Sequence, residues 1–220
     1  MKLFLSGGSK RAFELDKEFI KHLDKTKPLL YIPIAMDESR HPYPECLNWM
    51  TNYFSSLKFD NFKMVTNLSK IKDLEKYSGV YVGGGNTPKL LHEMKQSGFW
   101  QLLKVAIDKD MPVAGGSAGA IIHAKTIIPS LSDDENNVGL TDFSAYNNLN
   151  GYDMWCHYGP SMDGEVKEYL QKYNLKKIIA LPEYCGIYVK GNKMQILGEH
   201  SAWIFDKNGK REIKMGEKLK

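Results

Sequence analysis

Ser117 sits between Met111-Pro-Val-Ala-Gly-Gly116 and Ala118-Gly-Ala120. An apolar run that ends in two glycines, a serine, and then the apolar opening of a helix describe the strand, turn and helix of a nucleophile elbow. Its G-x-S-x-G pattern is Gly115, Gly116, Ser117, Ala118 and Gly119. Such a turn lifts a serine hydroxyl above the end of a strand, where it can attack an acyl carbon. The small neighbours let strand and helix pass closely and tolerate a strained serine backbone. The competing view is an ordinary glycine-rich turn carrying an incidental serine.

A serine hydroxyl at its ordinary pKa is a poor nucleophile and needs a base, itself oriented by a third group. Of the six histidines, His157 alone directly follows a buried-looking strand, Tyr152-Asp-Met-Trp-Cys156. A loop there can bring its imidazole over the elbow. His22, His41, His92, His123 and His200 read as structural or solvated. Two places offer the acid. Glu183 follows the strand-like Lys177-Ile-Ile-Ala-Leu181, and Asp133, Asp134 and Glu135 cluster in the loop after the elbow helix. Glu183 is favoured, because it ends a strand, whereas the loop acids also read as a solvated turn.

Gly83-Gly84-Gly85-Asn86-Thr87-Pro88 follows another strand-like run, Val80-Tyr-Val82. Its N–H groups at Gly84 and Gly85, with that of Ala118, can form an oxyanion hole. A phosphate cradle is the weaker view, because neither G-x-x-x-x-G-K-[ST] nor G-x-G-x-x-G is present.

These residues need a scaffold that gathers strand ends. Short apolar runs at 3–5, 29–35, 63–66, 80–82 and 113–114 alternate with helical patterns at 11–25, 43–57, 88–96 and 99–108. That alternation predicts an α/β fold with a mainly parallel sheet and helices on both faces. Open sheets of this kind bind ligands beyond the carboxyl ends of their strands. A further helix is expected after Ser161 as N-cap, with Val166, Tyr169, Leu170 and Tyr173 on one face. Turn signals at Lys190-Gly-Asn-Lys193 and Asp206-Lys-Asn-Gly209 predict antiparallel hairpins in the C-terminal third. With no linker or repeat, residues 1–220 read as one domain.

The net charge of +4 over 220 residues is spread thinly, apart from a tail of Lys210, Arg211, Lys214, Lys218 and Lys220 read as a solvated end. Nucleic acid is therefore not an expected partner. No apolar run approaches the ~18 residues of a membrane span, and the strand-like Lys2–Leu5 opening does not read as a leader. Three widely spaced cysteines, Cys46, Cys156 and Cys185, show neither metal spacing nor a disulfide framework. The expected location is cytoplasmic, with no metal and no cofactor.

Taken together, Tyr81-Val-Gly-Gly-Gly-Asn-Thr87, Ala114-Gly-Gly-Ser-Ala-Gly-Ala120, the spacing to His157 and Glu183 in Pro-Glu-Tyr-Cys-Gly resemble the peptidase E (aspartyl dipeptidase) and cyanophycinase family of serine peptidases. The resemblance runs from Leu5-Ser-Gly-Gly8 to about Gly198. It implies a fold like class I glutamine amidotransferases, with Ser117 as nucleophile and His157 as base. The third member is implied to be either a loop acid, near Asp133 or Asp134, or the later glutamate, Glu183. Family dipeptidases specific for N-terminal aspartate carry Gly-Glu-Thr-Arg-Glu after the histidine, whose arginine binds the substrate carboxylate. Here the run is Gly164-Glu-Val-Lys-Glu168, so Lys167 stands at that substrate-binding place. Lysine lacks the planar fork of arginine, which counts against strict Asp-X specificity. The expected activity is dipeptidase E-like hydrolysis of short peptides through an acyl-enzyme, with a preference for an N-terminal aspartate implied by the resemblance, by a monomer or homodimer. Competing readings are a non-catalytic binding or sensor protein on this scaffold, and an amidase or esterase using the same elbow.

Overall fold

The computed structural model describes residues 1–8 and 12–219. Arg11, which opens the first predicted helix, and Lys220 of the basic tail lie outside the described residues. The first half alternates as expected: β1 (Lys2–Ser6), α1 (Phe13–Lys21), β2 (Leu29–Ile32), α2 (Tyr43–Ser56), β3 (Phe62–Met64) and β4 (Gly79–Val82). Then follow α3 (Thr87–Gln96), α4 (Phe99–Asp108), β5 (Pro112–Gly116) and α5 (Ala118–Ile121). The second half holds β6 (Asp153–Trp155), α6 (Asp163–Lys172), β7 (Lys177–Ala180), β8 (Cys185–Lys190), β9 (Lys193–Gly198), β10 (Ala202–Asp206), β11 (Gly209–Ile213) and β12 (Lys218–Leu219).

Eight strands form the main sheet in the order β12-β9-β8-β1-β5-β4-β2-β3. From β3 to β1 every pairing is parallel, and from β1 through β8 and β9 to β12 every pairing is antiparallel. Alternation of side chains explains the layers. Leu3, Leu5, Leu30, Ile32, Val80, Val82 and Val113 face one side, against Leu90, Leu91 and Met94 of α3 and Phe99 and Leu103 of α4. Phe4, Leu29, Tyr31, Tyr81 and Ala114 face the other, against Leu15 and Phe19 of α1 and Met50 and Phe54 of α2. Burial on both faces is what the uninterrupted apolar runs require.

Part of the second half departs from expectation. The β8–β9 hairpin extends the main sheet, but β10 and β11 join β7 and β6 in a separate four-stranded sheet, β11-β10-β7-β6. Trp155, Ile178, Ala180 and Phe205 of this sheet pack with Val166 of α6 in their own apolar cluster. Ser161 lies in a 3-10 turn rather than capping α6, which begins at Asp163 after Met162 and has no side-chain cap. The basic tail is not a free end. Lys210 and Arg211 lie in β11 and Lys218 in β12, with Lys210 paired to Asp163 at 2.9 Å and Arg211 to Glu217 at 3.1 Å.

The elbow helix is short, because α5 closes after Ile121. The carbonyls that a longer helix would use accept from the returning loop: Ile122 from Tyr146 N–H, His123 from Asn148 and Ala124 from Asn147. No helix among the described residues is long and apolar enough to cross a membrane.

Candidate active site

Parallel pairing of β1 with β5 places Ser6 beside Gly116, and the Ser117 N–H then donates to the Ser6 carbonyl at 3.1 Å. Ser117 adopts φ 51° and ψ −116°, a region that costs a non-glycine residue on the order of 1–3 kcal/mol. The first turn of α5 holds it there, since its carbonyl accepts from the Ala120 N–H at 2.8 Å and the Ile121 N–H at 2.9 Å. This is the sharp strand-to-helix turn that the G-x-S-x-G pattern predicts.

The second sheet carries the other two side chains. Parallel β6 and β7 pair Trp155 with Ala180, so His157 and Glu183, two and three residues further on, emerge from neighbouring strand ends. The His157 N–H donates to the Gly7 carbonyl at 2.6 Å, which ties the end of β6 to the loop after β1. His157 and Tyr184, the residue after Glu183, both have positive φ, at 54° and 60°. Tight turns at both places point the side chains back toward the elbow.

The result is a continuous chain of polar atoms. His157 Nε2 lies 2.9 Å from Ser117 Oγ, and His157 Nδ1 lies 2.6 Å from Glu183 Oε1. A carboxylate only accepts, so Nδ1 carries the proton and Nε2 is left as an acceptor for the serine hydroxyl. The two partners are partly exposed, 39% for the imidazole and 29% for the carboxylate side chain.

Gly84 packs directly against the serine: a β-carbon added there would lie 3.2 Å from Ser117 Cβ and 3.8 Å from its Oγ. Gly85 has φ +132°, and a β-carbon there would strike the Ala35 carbonyl, so only glycine fits. Among the described residues, the N–H groups of Gly84, Gly85 and Ala118 have no hydrogen-bond acceptor.

Asp134 lies elsewhere around the same space. Its Oδ2 accepts from the Thr87 N–H at 2.9 Å, and among the described residues no hydrogen bond joins it to His157. Burial raises the Asp134 carboxyl from its ordinary value, against the pull of the Thr87 N–H. Asp133 is exposed at the rim. Lys167 is not brought to the site: it is exposed on α6 and does not line the cavity. Its neighbour Val166 takes the buried position on that helix, which turns residue 167 outward.

These groups open into a cavity of about 630 Å³. One wall was not anticipated from the sequence. His41, Glu45, Cys46, Trp49 and Met50, in and just before α2, face Ser117 and His157 across it. The available signal was Trp49, a large apolar side chain left 51% exposed on an amphipathic helix. Tyr31, Tyr81 and Trp155 add aromatic surface. Burial pushes the Cys156 thiol, next to His157, up from its ordinary range and that of Cys185 up to about 12, so neither is a ready thiolate. Among the described residues no group of three or more His, Cys, Asp or Glu side chains could hold a metal ion.

Residues 3–197 match the profile described as Peptidase family S51. A protein named Peptidase E from Shewanella oneidensis is 26% identical over 175 residues, 68% of this chain and 73% of that protein. Another Peptidase E, from Shewanella denitrificans, is 25% identical over 207 residues, covering 89% of this chain and 84% of its own length. The crystal structure of a peptidase from an acI-B1 Actinobacterium superposes with a TM-score of 0.72 at 16% identity, over 99% of this chain and 96% of that one.

Proposed function

The chain belongs to peptidase family S51, which makes it a serine-type peptidase, and on that premise we propose that it cleaves short peptides through Ser117, His157 and Glu183. One observation carries the reading, the unbroken path from Ser117 Oγ through His157 to the Glu183 carboxylate.

In this mechanism His157 Nε2 takes the hydroxyl proton as Ser117 Oγ attacks the scissile carbonyl. The negative charge that develops on the carbonyl oxygen is met by the N–H groups of Gly85 and Ala118, beside Gly84. Glu183 holds the imidazole in the required tautomer and stabilises the imidazolium. His157 then hands its proton to the leaving amine, and water, activated by the same imidazole, releases the acyl group. The acid is Glu183 rather than Asp134, because Glu183 contacts Nδ1 while Asp134 is engaged with the Thr87 N–H. The fold is read as class I glutamine amidotransferase-like, supported by the parallel run β3-β2-β4-β5-β1 and a nucleophile on the turn after β5. Free Cys46, Cys156 and Cys185 support a cytoplasmic location.

Ser117→Ala is expected to lower kcat/KM on dipeptides by at least about 10³-fold with an unchanged melting temperature. It should also abolish labelling by a fluorophosphonate. Full turnover in that variant would eliminate the proposal.

A further inference from the structure

We propose that Asp134 is the counter-ion for a primary ammonium group of the substrate, its free amino terminus, so that the cavity admits peptides by their N-terminal end. The inference rests on the functional reading above and adds the group that fixes the substrate's orientation.

Three placements lead to it. First, Asp134 lines the same cavity as Ser117 and His157, at the mouth of the glycine loop. Its Oδ2 is fixed on the N–H of Thr87, two residues after Gly85, and two residues span at most about 7 Å. In a peptide the α-nitrogen is two bonds from the carbonyl carbon of the same residue. A carbonyl poised between Ser117 and the Gly85 N–H therefore holds its own amino group inside the cavity that Asp134 lines, within reach of that carboxylate in the orientation we propose.

Second, the carboxylate is held in place but incompletely used. Only Oδ2 accepts a hydrogen bond among the described residues, and no ammonium or guanidinium there pairs with it. The supporting frame is rigid: the Asn86 side chain donates to the Glu135 carbonyl at 2.8 Å and accepts from the Lys89 N–H at 2.8 Å. A half-buried carboxylate is disfavoured in its charged form, and an arriving cation relieves that cost. Third, the described lining contains the carboxylates Glu45 and Asp133 besides Asp134 and no lysine or arginine. That charge balance attracts an ammonium group and opposes a carboxylate side chain at the same place.

Calorimetry on the Ser117→Ala protein tests binding apart from hydrolysis, so that failure here is distinct from failure of the nucleophile assignment. Leucyl-leucine is expected to bind about tenfold or more tightly than N-acetyl-leucyl-leucine. Adding Asp134→Asn, which keeps an oxygen for the Thr87 N–H and so the melting temperature, should erase the difference. Adding Asp133→Asn should preserve it. Tight binding of N-acetyl-lysyl-leucine that Asp134→Asn removes would keep the ammonium site and assign its source to a basic side chain. A preference that survives Asp134→Asn, or that Asp133→Asn removes equally, overturns the proposal. Failure of all three peptides to bind does so as well.

Discussion

A β-carbon built at Gly8 would fall on the carboxylate carbon and both carboxylate oxygens of Glu183. The absence of a side chain at residue 8 is therefore what leaves room for the carboxylate behind His157. Gly7, one residue earlier, accepts the His157 N–H, so the loop after β1 seats both members of the pair. An alanine at position 8 meets only the far end of a flexible side chain, and the fold can absorb it by swinging Glu183 aside. Gly8→Ala is then expected to melt near the wild-type temperature yet to lose about 10²-fold in kcat, the usual cost of misplacing a catalytic group. KM should change less than kcat, because Gly8 is one small part of the cavity lining and the α2 wall and glycine loop stay in place. Steady-state kinetics on a dipeptide would show this split, and a wild-type kcat would refute this account of how Glu183 is seated.

Between elements, the critical contact is the crossing of β5, α5 and β4. A β-carbon on Gly119 would run into the Val82 carbonyl, and one on Gly115 would strike the Gly119 carbonyl. Backbone on both sides cannot swing away as Glu183 can. Gly119→Ala should therefore cost about 1–3 kcal/mol in a urea titration and disturb the turn that carries Ser117. A variant with unchanged urea midpoint and turnover would show that the crossing has slack. This crossing was legible in the sequence because the need for small residues is local, as is the pattern of the strands and helices up to Asp108. The short α5 was not, since it ends where residues 146–148 capture its carbonyls, a partner choice made some 25 positions away. The second sheet escaped for the same reason. Turn signals fix which strands form a hairpin, and they are silent on which edge that hairpin joins. His157 and Glu183 were nevertheless readable as strand-end residues, whereas the α2 wall and the outward turn of Lys167 depend on how whole helices pack.

Across the whole molecule, the long return from α5 to β6 is anchored on one buried imidazole. His123 is fully buried, accepts at Nδ1 from the Asn148 side chain at 3.1 Å, and stacks on Tyr146, which stacks in turn on Trp100 at 3.5 Å between centroids. Its Nε2 has no partner among the described residues. Burial holds its pKa down to about 3. An unfolded histidine titrates near 6.5, so between these values the unfolded chain binds the extra proton. The contribution of this group to stability is thus complete above about pH 6.5 and is lost progressively as the pH falls toward 3. From pH 7.5 to 5.5 the loss should amount to about 1.4 kcal/mol. Asp134 and Asp153, whose carboxyls burial raises, act in the opposite direction, but nearer the carboxylate range. Urea titrations at the two pH values should therefore show a decline in the wild type that His123→Asn largely removes, whatever that substitution costs at pH 7.5. An equally steep decline in the variant would move the sensitivity to another group.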